Sequence, residues 1–191
     1  MEFISENEVY EVLKEFGIER VQVNDDRIEL QMHSDDSIVQ FHLASKESKA
    51  TPHDGSKTIT IEKERLSNVV EHMLHLMHVT QILLIPLGKW RSVFDAVAFS
   101  LAESEAWQAV DAAATVELNR RDPLLCEPAD FSTINELISA LFNDAESPDQ
   151  GLMLVSSSAP ILIEIVPDGA LRVSIGNQVL ADEVSEAFAV S

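Results

Sequence analysis

The chain has 191 residues, 46% of them hydrophobic, with 13 Lys plus Arg against 33 Asp plus Glu, a formal charge of −20. The apolar content excludes a disordered chain and is ample for a core. The acidity excludes unaided binding to nucleic acid or to an anionic membrane and favours a basic partner or a metal ion.

A single cysteine, Cys126, leaves no intramolecular disulfide to form and gives no reason to expect an oxidising compartment. The opening MEFISENEVYEVLKEF is acidic and amphipathic where an export signal is basic and then uniformly apolar, so the cytoplasm is the expected location. Apolar runs such as Ile82 to Leu87 are far shorter than the roughly 20 residues of a spanning helix, and no membrane segment is expected.

In chain order, Ser5 and Glu8 form a capping box, Val9, Leu13 and Phe16 recur at helical spacing, and Gly17 stands where a helix ends. Val21 and Val23, then Ile28, Leu30 and Met32, then Val39, Phe41 and Leu43 alternate with polar residues. Asn24-Asp25-Asp26 and Ser34-Asp35-Asp36 separate the sets, which predicts a three-stranded antiparallel meander with His42 opposite Glu29. The opposite face of that meander, Gln22, Glu29, Gln31, Gln40 and His42, reads as a wet sheet face or a polar docking surface.

Residues 44–57, with Pro52 and Asp54-Gly55, read as a mobile loop. Ile59 and Ile61 mark a strand, residues 63–78 a helix, and Ile82 to Ile85 an apolar strand. Trp90, Val93, Phe94, Val97 and Leu101 share one helical face, while Phe99 points the other way and asks for a second covering surface. A helix over about 105–114, a strand over 116–118, a break at Pro123 and a helix over 132–142 follow. The C-terminal region predicts strands over 152–155, 161–166 and 171–175, the last two joined by the hairpin signal Pro167-Asp168-Gly169, and then a short helix near 182–189.

The class expected is α+β: a mostly antiparallel sheet with an N-terminal meander and a C-terminal hairpin, and helices packed on one side. Residues 62–77 align without gaps on 127–142, with Glu62/Glu127, Ser67/Ser132, Glu71/Glu136 and Leu76/Leu141 identical. This similarity suggests two α/β halves, 1–103 and 104–191, forming one compact domain or two.

Three sets of residues invite a functional reading. Glu71, His75 and His78 at i, i+4 and i+7 share a helical stripe and could ligate zinc, although the bland reading is a solvated polar face with a Glu71–His75 pair. Lys89 and Arg91 stand at a helix start, where anions are preferred, so they answer either a bound anion or the chain's own carboxylates. Trp90, Phe99 and Trp107 are core or interface aromatics. Cys126 reads as a small buried hydrophobe, and Ser156-Ser157-Ser158 lacks a nucleophile elbow.

No catalytic set is assignable, so the expectation is a protein-binding or adaptor protein with a protein partner or self-association. Its rival is a metal or small-ligand sensor or enzyme centred on Glu71/His75/His78 or Lys89/Arg91. The initial order of helix, strands and helix, with the acidity, resembles small acidic secretion-chaperone-like proteins in architecture while matching none of their motifs. That resemblance implies a self-associating protein that captures a polypeptide.

Overall fold

Alternation of apolar residues along the strands decides which side of each strand is buried, and it gives one sheet two different faces. A computed structural model describes residues 1–15, 17–25, 27–33, 38–115, 121–156 and 158–189. The first half runs β1 (Glu2–Phe3), α1 (Glu6–Glu15), β2 (Ile18–Asn24), β3 (Arg27–Met32), β4 (Val39–Ala44), β5 (Lys57–Thr60), α2 (Leu66–Leu76), β6 (Ile82–Pro86) and α3 (Trp90–Val97). Then come α4 (Glu105–Thr115), β7 (Leu124–Cys126), α5 (Phe131–Asp144), β8 (Leu152–Ser156), β9 (Ile161–Val166), β10 (Ala170–Ile175) and α6 (Gln178–Ala189). The strand expected over 116–118 lies outside the described residues.

The main sheet has eight strands in the order β1-β7-β6-β8-β9-β10-β4-β5, so strands from 1–103 and from 104–191 interleave. The class is α+β as expected, but the sheet is mixed, because β5 runs parallel to β4 while the other pairs are antiparallel. β4 and β5 are joined by an excursion long enough to bring the chain back to the same end, which a parallel pair requires.

On one face Phe41, Leu43, Leu84, Leu154, Ile163 and Val173 meet the apolar sides of α2, α3 and α5, with Trp107 of α4 and Val184 of α6 completing this larger core. On the other face Leu83, Ile85, Met153, Val155 and Leu162 are covered by Val9 and Leu13 of α1 and by Ile18, Ile28, Leu30 and Met32 of β2 and β3. The helices therefore do not all lie on one side. β6 and β8 are buried along their whole length because both faces are covered, which is why ILLIP and the LMLV that opens β8 are continuously apolar instead of alternating.

The meander is corrected. β2 and β3 pair with each other in a separate two-stranded ribbon, with Val21 opposite Glu29, and β4 leaves them for the main sheet. There it pairs along six residues with β10, from Ala44↔Ala170 to Val39↔Ile175, so His42 faces Arg172 and not Glu29. The reason is layer assignment: Ile28, Leu30 and Met32 cap one side of the sheet, whereas Phe41 and Leu43 belong to the core on the other. Gly17 closes α1 as expected, with φ +74° and the His33 carbonyl oxygen only 2.0 Å from where a Cβ would stand, so no other residue fits without strain.

Candidate functional site

The predicted zinc stripe is only partly assembled. α2 ends at Leu76, and His78 lies beyond the Met77 cap with φ 49°, off the helical progression that i+7 alignment requires. Glu71 and His75 do meet, at 3.8 Å, and the same carboxylate accepts a hydrogen bond from Asn135 Nδ2 at 3.2 Å across α2 and α5. Among the described residues no three His, Cys, Asp or Glu side chains converge to hold a metal ion.

Lys89 is the residue that precedes α3, in extended backbone. Arg91, exposed one residue into the helix, is paired with Asp95 one turn on, at 2.8 Å. The indoles are buried, with Trp90 donating to the Asp122 carbonyl at 2.8 Å and Trp107 to the Thr133 carbonyl at 3.0 Å. Each is held at both its apolar body and its polar tip, leaving Phe99, 94% exposed, as the surface aromatic of the three. Cys126 is fully buried, and that burial, aided by nearby Asp130, pushes its thiol up to about 12, which removes it as a nucleophile. Ser156 accepts hydrogen bonds from the Ser158 and Ala159 amides and closes the end of β8.

A polar half of the ribbon-side face was not singled out from the sequence. Glu164 of β9 faces Arg172 of β10 across the ladder, and Arg172 Nη1 donates to both carboxylate oxygens at 3.1 and 3.0 Å with the glutamate only 7% exposed. Arg172 also donates through Nε and Nη2 to the Thr51 carbonyl, at 3.2 and 3.0 Å. His42 is 3% exposed, and its Nδ1 is buried with no hydrogen-bond partner among the described residues. The Lys49 amide and the Ser48 hydroxyl donate to Asp168 in the turn between β9 and β10. Residues 45–56 are thus a strap pinned across the sheet, where the sequence predicts a mobile loop.

A signal for this cluster was present. Glu164 and Arg172 are lone charges inside ILIEIV and ALRVSI, and a turn at 167–169 places them opposite each other by counting outward.

The second feature is a groove beside β5, the terminal strand of the sheet order. The Ile61 amide donates to the Ala44 carbonyl at 3.0 Å, so by strand alternation the amides of Lys57 and Ile59 also face β4. Those of Thr58 and Thr60 face outward, and both threonines are exposed. Beside this edge lies a groove of about 550 Å³ between β5, α2 and α6, floored by Ile59, Ile61, Val69 and Phe188 and rimmed by Arg65 and His72. β5 and α2 follow each other in the chain, but α6 comes from its far end, so no local pattern announced the groove.

Fold and site together define a class, an α+β protein on a mixed eight-stranded sheet with a groove along one edge strand. No family model matches the chain, and no curated protein and no solved structure is significantly similar to it.

Proposed function

We propose that this chain is a protein-binding module that captures an extended polypeptide segment by adding it as a strand to the outer edge of β5. The observation that carries the reading is the outward-facing backbone of Thr58 and Thr60 alongside a groove of mixed lining, apolar at Ile59, Ile61, Val69 and Phe188 and polar at Glu62, Arg65, Asn68 and His72. Main-chain hydrogen bonds supply affinity in such strand addition, and pockets for alternate side chains supply selectivity. The occupant is an acidic and apolar segment: residues 57–65 carry Lys57, Lys63 and Arg65 against Glu62 and Glu64, an excess of cations in a chain of charge −20.

The test is amide hydrogen exchange and chemical-shift perturbation with synthetic peptides that alternate valine with glutamate or with lysine. The Glu–Val peptide should protect the Thr58 and Thr60 amides, the Lys–Val peptide should not, and Thr60→Pro should abolish the effect while leaving the amides that face β4 protected. Perturbation elsewhere, equal binding of both peptides, or edge-to-edge self-association that excludes the peptide overturns the reading.

A further inference from the structure

His42 sits on the sheet face that the strap crosses, and it lacks the contacts a charged imidazole needs. The side chain is buried, and its Nδ1 has no hydrogen-bond partner among the described residues. A neutral ring meets this by carrying its proton on Nε2, whereas protonation adds an N–H at Nδ1 with no acceptor to receive it.

The surroundings oppose a cation as well. Burial is the largest effect, followed by Arg172 of β10, the register partner of His42, and by His53 of the strap, while the smallest effect, from the Ala50 backbone, works the other way. Behind Arg172, Glu164 of β9 is already bound to the guanidinium through both oxygens. On the other side the partner in β5 is Thr58, which is uncharged. Glu29 and His33 of β3 reach the cleft that Arg172 and His53 line, and each has a partner, Arg27 for Glu29 and Glu19 for His33. The other charges of the strap, Lys46, Glu47, Lys49 and Asp54, are exposed.

Of the elements around His42, the strap is the one that can give way. None of residues 45–56 belongs to either apolar core, and the contacts that pin them are polar: Asp168 with the Ser48 hydroxyl and the Lys49 amide, and Arg172 with the Thr51 carbonyl. β4 itself is locked by Phe41 and Leu43, so lifting the strap exposes little apolar surface whereas moving β4 exposes much. We propose that the strap is an acid-sensitive lid: protonation of His42 lifts residues 45–56 off the sheet and brings water to the imidazole and to the Glu164–Arg172 pair, while the sheet beneath stays folded. A cation at His42 acts twice, because it needs hydration and because it repels the guanidinium that holds Thr51. The device does not depend on peptide capture at β5.

Amide hydrogen exchange between about pH 7 and 5, a window above the ordinary carboxylate range, tests this. The protection factor of the Lys49 amide, which is bonded to Asp168, should fall by up to about tenfold per pH unit below 6.5, the mark of one proton taken up on opening, until the lowered value of His42 is reached. The amides of β8, in the middle of the sheet, should keep their protection. His42→Gln should remove the pH dependence, with His42→Asn serving the same end if the glutamine variant does not fold. His53→Gln, at an exposed side chain, should retain most of it. Flat Lys49 protection in the parent, an equal fall in either His42 variant, loss of the fall in His53→Gln, or a parallel fall in β8 overturns the proposal.

Discussion

Replacing Arg172 with methionine keeps most of the aliphatic stem and deletes the guanidinium that neutralises Glu164. The glutamate side chain is 9% exposed and that of Arg172 is 19% exposed, so the pair sits largely out of water. In Arg172→Met the carboxylate keeps, among the described residues, only the Arg27 guanidinium at 4.0 Å, beyond hydrogen-bond range. Leaving one member of a buried pair uncompensated costs about 3–5 kcal/mol. Within that loss, releasing the Thr51 carbonyl from Arg172 accounts for about 1–3 kcal/mol.

Glu164→Leu alone strands the guanidinium in turn and should cost a similar amount. The double variant strands neither charge, so its destabilisation should fall back to about 1–3 kcal/mol, the strap contribution alone. Native stability of about 5–15 kcal/mol keeps each single variant measurable. Urea unfolding followed through the two buried indoles, Trp90 and Trp107, gives the cycle. Trypsin cleavage after the exposed Lys46 and Lys49 reports the strap separately and should accelerate in both variants that lack Arg172. Additive single effects, with the double variant as destabilised as their sum, would refute the coupling.

Two further outcomes follow from burial. Desolvation, reinforced by Arg172 of β10 and His53 of the strap, holds His42 below its ordinary value of 6.5. The folded state therefore binds fewer protons than the unfolded state in that window, and the His42 contribution, intact above 6.5, is lost as pH falls from there toward His42's lowered value. Stability curves of the parent and His42→Gln between about pH 7.5 and 5 should diverge in slope, and parallel curves would contradict the assignment. Trp107→Ala should cost about 3–5 kcal/mol, because it opens a cavity and strips the Thr133 carbonyl of its donor, whereas Phe99→Ala should stay within about 0.5 kcal/mol. Comparable melting temperatures for the two variants would show that the burial contrast is wrong.

Much of this molecule was legible without tertiary information, because strand and helix periodicities are local properties. Val9 and Leu13 at helical spacing with Gly17 behind them define α1, and apolar alternation marks β3, β4 and β10. The lone charges Glu164 and Arg172, counted outward from the turn at 167–169, define the centre of the polar face. What periodicity cannot encode is the partner of a strand. Whether β4 follows β3 into a meander or crosses to β10, some 130 residues away, depends on which packing buries Phe41 and Leu43, a question of global free energy.

The same limit governs the candidate sites. Whether Trp90 and Trp107 are core or surface, whether Arg91 finds a carboxylate, and whether His78 stays on the helix depended on neighbours or on a terminus that composition does not mark. The strap site joins His42, Thr51 and Arg172, and the groove joins β5, α2 and α6. Composition set the acidity; only the assembled layers decided which charges meet, since residues remote in the chain become neighbours through the packing of both sheet faces at once.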